Sequence, residues 1–121
     1  QDVARIADPT GERAFAIPMD QSSTYIQVAN GLVNATALGM IQYPGMAFDA
    51  ALIGTQGWAF DAVYTPIWTE FMGAAKAGGL ECLTGFNLFK HMAVRTFQTY
   101  TGVAVNPADA DRAIDPLIEG I

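Results

Sequence analysis

The sequence predicts an α/β fold, a mainly parallel sheet with flanking helices, and three observations predict it. Three short apolar segments, at Gly31–Val33, Trp58–Val63 and Leu80–Leu83, have strand character and are bounded by turn residues. Each runs into a polar or glycine-bearing turn: Asn34-Ala35-Thr36, Tyr64-Thr65-Pro66 and Thr84-Gly85. Between and after them lie helical-period patterns, and strands alternating with helices imply right-handed crossovers in a parallel sheet. Ligands of open α/β sheets bind outside the carboxyl ends of the strands, so the three turns are expected to share one cleft.

In chain order, Val3–Ala7 is a short apolar segment interrupted by Arg5 that ends at the turn Asp8-Pro9-Thr10-Gly11. Glu12–Ile17 reads as the first turns of a helix stopped by Pro18. Tyr25–Ala29 suits one or two helical turns before the Gly31 strand. Residues 41–57 hold Pro44, Gly45, Gly54 and Gly57 and read as a loop with a short helix over Phe48–Ile53. After the second strand, Pro66 fits a helix first turn with Thr65 as cap. Ile67, Phe71, Ala74 and Ala75 would share its buried face, and Gly78-Gly79 would end it. The longest helix spans Phe86–Tyr100, with Phe89, Ala93 and Phe97 as its core stripe and Gly102 as its stop. Asn106-Pro107 opens a last helix, with Asp109 and Asp111 near its positive end.

Size and composition narrow the function. The 121 residues suffice for one domain with one core, and 51% hydrophobic with 15% charged residues is globular. A net charge of −6 with scattered Lys and Arg argues against nucleic acid or an anionic membrane as partner. No apolar run approaches the roughly 20 residues of a membrane span. The opening Gln1-Asp2-Val3-Ala4-Arg5 lacks the basic region and apolar core of a leader peptide. The single Cys82 cannot form an internal disulfide and is expected to be a small buried apolar residue; a reducing cytoplasm is the expected location. His91 has no Cys or carboxylate at metal-ligand spacing, so no metal site is expected; Asp109, Asp111 and Asp115 read as a solvated face.

Asn34-Ala35-Thr36-Ala37-Leu38-Gly39-Met40 resembles the Asn-Ala-Thr-Pro-x-Gly-Met motif of the shikimate and quinate dehydrogenases. Asp61-Ala62-Val63-Tyr64-Thr65-Pro66-Ile67-Trp68-Thr69 is similar to their Asp-x-Val-Tyr-x-Pro-x-x-Thr. Leu83-Thr84-Gly85, then His91, Phe97 and Thr101-Gly102, resemble the family's last motif. Order and separation agree from about Gly31 to Gly102, and three motifs in register are specific where one would be weak.

The resemblance implies a Rossmann-type parallel sheet with flanking helices, incomplete at its N-terminal side. Residues 1–121 would be a partial NAD(P)-binding domain, and the catalytic Lys and Asp would belong to an N-terminal substrate domain. It implies an oxidoreductase moving hydride between a nicotinamide cofactor, NAD with NADP second, and the ring carbonyl of a dehydroshikimate-type substrate. By position, Val3–Ala7 would be a first strand with Asp8 at its end, and Asp8 and Arg13 would meet the adenosine end of the cofactor. Thr36 and Ala62 would lie along it, and Gly85 and Leu88 would pack against the nicotinamide. Tyr64 would reach the substrate carboxylate. Ala37 stands where the family has Pro, Thr84 where it has Asp, and Met92 where it has a substrate-binding Gln. A thioether is at best a weak acceptor. Met92 therefore suggests a related oxidoreductase acting on another polyol or an amino-shikimate. No Gly-x-Gly-x-x-Gly occurs, which suggests instead a non-catalytic binding or assembly domain. Expected partners are a small-molecule substrate of the shikimate/quinate type and a second copy in a homo-oligomer.

Overall fold

The structure, a computed structural model, describes residues 2–120; Gln1 and Ile121, the ends of the 1–121 unit, lie outside the described residues. Its centre is a three-stranded sheet of β1 (Gly31–Asn34), β2 (Trp58–Asp61) and β3 (Glu81–Leu83), in that spatial order. Both pairings are parallel, with Leu32 opposite Ala59 and Ala59 opposite Cys82. The helices are α1 (Asp2–Ala7), α2 (Ser22–Val28), α3 (Glu70–Ala77), α4 (Gly85–Thr101) and α5 (Pro107–Ile114). Single 3₁₀ turns occupy Met19–Gln21 and Ala50–Leu52, and Asp115–Gly120 is a longer 3₁₀ stretch.

Alternation along the strands decides where the core lies. On one face, Leu32, Asn34, Ala59 and Asp61 are buried and Cys82 is half-buried. Ile26 of α2, Phe71, Met72 and Ala75 of α3, and Leu80 close over that face. Phe48 backs Phe71, ring to ring at 5.2 Å. On the other face none of Gly31, Val33, Trp58, Phe60, Glu81 and Leu83 is buried. The flanking helices thus cover one side of the sheet.

Several expectations are corrected. Val3–Ala7 is helical: with no strand beside it to complete a ladder, its backbone bonds locally, Asp8 N–H to Ala4 O at 2.8 Å. Glu12–Ile17 forms no helix; its Arg13 and Ala14 N–H groups bond to the Asp8 carboxylate in a loop. The helix after β2 begins at Glu70, not at Pro66. Thr65–Pro66 is a cis peptide in the preceding turn, and Thr69 is the cap, its Oγ1 accepting from Met72 N at 3.2 Å. The stripe of α4 is not core: Phe89 is 37% and Phe97 50% exposed, and only Gly85 and Phe86 of that helix are buried. Cys82 is half-buried instead of buried.

Other expectations hold. Gly102 ends α4 in the left-handed conformation at φ 70°, where a Cβ would be strained. Asn106 caps α5, accepting from Ala108 N at 2.9 Å, with Pro107 in the first turn. Lys90 of α4 pairs with Asp111 at 2.7 Å and Asp115 at 3.0 Å, clasping α5 to α4.

Candidate active-site cleft

The motif residues at the ends of β1 and β2 build one buried polar network. Asn34 is 1% and Asp61 0% exposed. The Asn34 amide donates to Leu38 O at 2.9 Å and to Asp61 Oδ1 at 3.0 Å. Its Oδ1 accepts from Thr36 N at 3.1 Å and from the Thr36 hydroxyl at 2.7 Å. Asp61 Oδ1 also accepts from Val63 N at 2.9 Å, and Oδ2 from the Thr69 hydroxyl at 2.6 Å. Thr69 in turn caps α3, so one chain of bonds joins β1, β2 and the following helix. Buried polar groups stand only when paired, and every member here is paired.

Two glycines permit the close approaches this needs. Gly39 adopts φ 102°, and a Cβ there would lie 3.0 Å from the Thr69 methyl. At Gly85, the first residue of α4, a Cβ would lie 2.4 Å from Val63 O and 2.7 Å from Ala62 O. Only glycine lets α4 start against the end of β2.

Above this network opens a cleft of about 290 Å³ lined by Thr36, Met40, Ile41, Gln42, Ala62, Val63, Tyr64 and Thr65. It lies at the carboxyl ends of β1 and β2, where the fold places ligands. Its loop wall is pinned by Gly39 N to Tyr43 O at 2.8 Å and Tyr43 N to Met40 O at 2.9 Å. Tyr64 stacks on Phe89 at 5.3 Å, which fixes its ring beside the cleft mouth. The lining carries no ionised side chain.

Of the residues singled out in the sequence, Thr36, Ala62 and Tyr64 line the cleft and Gly85 lies directly beneath it. Leu88 is 41% exposed on α4 and is not among the lining residues. Met92 is 58% exposed in a shallow patch with His91, Arg95 and Thr96 and is not among the lining residues either. Asp8 and Arg13 are not in the cleft either. Asp8 follows α1, not a strand, and its neighbourhood is a separate groove of Ala4, Arg5, Pro9, Thr10 and Ala14. Asp8 as a residue is 4% exposed, and its carboxylate accepts from the Thr10 hydroxyl at 2.6 Å, Thr10 N at 3.2 Å, Arg13 N at 2.5 Å and Ala14 N at 3.0 Å. The Thr10 hydroxyl, then the Arg13 N–H, hold its pKa down to about 2. Four donors fill the carboxylate, so in this conformation it offers no free acceptor to a ribose.

Sequence reasoning missed Met40, Ile41, Gln42, Val63 and Thr65 as lining, although Met40, Val63 and Thr65 stand within the motifs and Ile41 and Gln42 directly follow one. It also missed Gln56, which is 6% exposed and donates to Ile26 O at 2.7 Å and Leu52 O at 3.0 Å. Nothing in the local sequence marks that Gln. Among the described residues no group of three or more His, Cys, Asp or Glu could hold a metal ion. Among them, too, no helix is long and apolar enough to cross a membrane.

No family model matches the chain. It is 37% identical, over 92% of its length, to a shikimate dehydrogenase (NADP(+)) of Arthrobacter sp. strain FB24. The chain belongs to the shikimate/quinate dehydrogenase family. A quinate/shikimate dehydrogenase (NAD(+)) of Corynebacterium glutamicum is 45% identical over 64% of the chain. The solved structure of a quinate dehydrogenase from Corynebacterium glutamicum in complex with NAD superposes with TM-score 0.81 and 34% identity over 93% of the chain. This chain spans 40% of the Arthrobacter shikimate dehydrogenase, 28% of the first Corynebacterium relative and 40% of the solved chain, well under half in each case. The three-stranded parallel sheet and its helices match the Rossmann-like fold of these dehydrogenases. The family's motifs thereby acquire a physical role: Asn34, Asp61 and Thr69 form the internal frame, and Thr36, Ala62 and Tyr64 the cleft.

Proposed function

We propose that residues 1–121 are part of the NAD(P)-binding domain of a shikimate/quinate dehydrogenase-like oxidoreductase, and that the strand-end cleft receives the nicotinamide end of the cofactor. The observation that carries this reading is the cleft itself, at the sheet's ligand edge and built from the family's motif residues. Its volume is at the low end for ligand pockets and suits a nicotinamide and its ribose, not a whole dinucleotide. An uncharged, mainly apolar lining suits a ring that gives or takes a hydride. NAD is the cofactor of this reading and NADP the second choice, because the relatives' names carry both.

When bound, the cofactor supplies the hydride exchanged with the ring carbonyl of a dehydroshikimate-type substrate. This chain's residues do the positioning. Thr36 and Ala62 form the cleft floor, Gly85 lets α4 close beneath it, and Tyr64, braced by Phe89, holds its hydroxyl at the mouth for a substrate oxygen. The cleft contains no Lys, His, Asp or Glu to move a proton at neutral pH. We therefore assign proton transfer to the Lys and Asp of a separate substrate domain, and expect this chain alone to be inactive. Met92 and Leu88 are left out of the pocket. So are Asp8 and Arg13, since the Asp8 carboxylate is already saturated.

The test is a titration of ¹⁵N-labelled chain with nicotinamide mononucleotide, followed by amide chemical shifts. Shifts centred on Thr36, Ala62, Val63 and Tyr64 are expected. Saturable shifts around Asp8–Ala14 alone, or none at all, would refute the placement.

A further inference from the structure

The floor of the strand-end cleft has already spent its protons. The backbone N–H groups of Thr36 and Val63 donate to the Asn34 and Asp61 side chains at 3.1 and 2.9 Å, and that of Ala62 to Asn34 O at 2.9 Å. The Thr36 hydroxyl gives its proton to Asn34 Oδ1 at 2.7 Å and accepts from Leu38 N at 3.1 Å. All of these bonds point into the frame, so these groups have no proton left for a ligand.

The wall is different. Met40 and Tyr43 form an antiparallel bridge, closed by Tyr43 N to Met40 O at 2.9 Å and Gly39 N to Tyr43 O at 2.8 Å. Ile41 and Gln42 are the two residues of the tight turn between them. That turn is tied to the frame: Met40 N donates to Ala37 O at 3.2 Å, Leu38 O accepts from the Asn34 amide, and Gly39 lies close against Thr69. Gln42 is thus carried on braced backbone, and it supplies the one side-chain amide of the cleft lining. Among the described residues that amide has no hydrogen-bond partner. An uncommitted polar group on a rigid support is what orients a ligand in a mainly apolar pocket.

The substituent of a nicotinamide ring is a carboxamide, with one carbonyl acceptor and one NH₂ donor side by side. Its match is a second amide, whose carbonyl accepts while its NH₂ donates. A hydroxyl such as that of Thr65 or Tyr64 holds its donor and acceptor on a single atom and cannot span both. We propose that the Gln42 side-chain amide pairs with the carboxamide of the nicotinamide and so sets which face of the ring is presented to substrate. This assignment rests on the reading of the cleft as the nicotinamide site. A ring held by its carboxamide is not free to turn over about its bond to the ribose, which fixes the orientation that hydride transfer needs. The same pairing discriminates against a carboxylate. A ring acid accepts one N–H from Gln42, but its second oxygen then faces Gln42 Oε1, two acceptors with no proton between them.

The test compares nicotinamide mononucleotide with nicotinic acid mononucleotide on the full ¹⁵N-labelled chain and on its Gln42→Ala and Gln42→Glu variants. In wild type the side-chain NH₂ signals of Gln42 should move with the amide ligand, which should bind about tenfold more tightly than the acid. Gln42→Ala should weaken the amide ligand about tenfold and bring the two ligands within about twofold of each other. Gln42→Glu keeps the shape and one acceptor but adds a negative charge, so it should weaken the acid more than the amide. Amide-signal dispersion establishes that the variants are folded; if one is not, the wild-type NH₂ signals and the two wild-type affinities decide. Backbone shifts at Thr36, Ala62, Val63 and Tyr64 with the Gln42 NH₂ signals unmoved would overturn the role of Gln42 and leave the cleft reading standing. So would a Gln42→Ala variant that keeps the preference for the amide ligand. An absence of shifts at those four residues would overturn both.

Discussion

Replacing Thr69 by valine should destabilise the chain by about 3 kcal/mol, although shape and volume are nearly conserved. The Thr69 hydroxyl donates to Asp61 Oδ2 at 2.6 Å, and residue 69 is 3% exposed. A hydrogen bond to a charged group is worth about 1.5–3 kcal/mol. Asp61 is 0% exposed, so water cannot replace the donor. The same oxygen accepts from Met72 N at 3.2 Å, and losing an N-cap of this kind costs about 1 kcal/mol. Valine keeps the methyl that meets Gly39, so packing there is unchanged. Thr69→Ser keeps both bonds and loses one buried methyl, about 1 kcal/mol. Urea unfolding at neutral pH measures the difference. With an m-value of about 1–3 kcal/mol/M, the valine midpoint should fall by about 1–3 M. A valine variant within about 1 kcal/mol of wild type, or a serine variant as damaged as the valine, would refute the network as the source of stability.

Gly85→Ala should cost about 1–3 kcal/mol, because its methyl would lie 2.4 Å from Val63 O, main chain that cannot rotate away; urea midpoints check it. Asp8 has its pKa lowered from 3.8 to about 2, so its contribution is present above pH 4 and is lost as pH falls towards 2. The gap in melting temperature between wild type and Asp8→Asn should therefore narrow across that window, and parallel curves would contradict the bonding of Asp8 to Thr10 and Arg13. Burial raises the pKa of the Cys82 thiol, with nearby Lys76 opposing it, so at pH 8 the folded chain should react with a disulfide reagent more slowly than the urea-unfolded chain.

What was legible in the sequence was local or repeated. All three strands, α4 and α5, and the stops at Gly102 and Asn106-Pro107 are written in short-range patterns. Their backbone preferences need no distant partner. Two of the misread elements depend on distant partners. Val3–Ala7 has strand composition, but a strand needs a neighbour for its ladder, and without one the segment closes its own bonds as α1. The α4 stripe has helical period, which marks an apolar face and says nothing of whether another layer meets it.

The site divides in the same way. Turn chemistry and strand length are local, and they already put Asn34, Thr36, Asp61, Tyr64 and Gly85 at strand ends. That Asn34, Asp61 and Thr69 form one internal frame follows from long-range pairing, which brings Asn34 beside Asp61 across 27 residues of chain. The tertiary fold also decided that Asp8 is saturated by its own loop, that Met92 and Leu88 are not among the residues lining the cleft, and that one side of the sheet is bare. Each of these turns on which atoms lie within about 3 Å of a group, or on which face has neighbours. Chain position alone does not fix those distances.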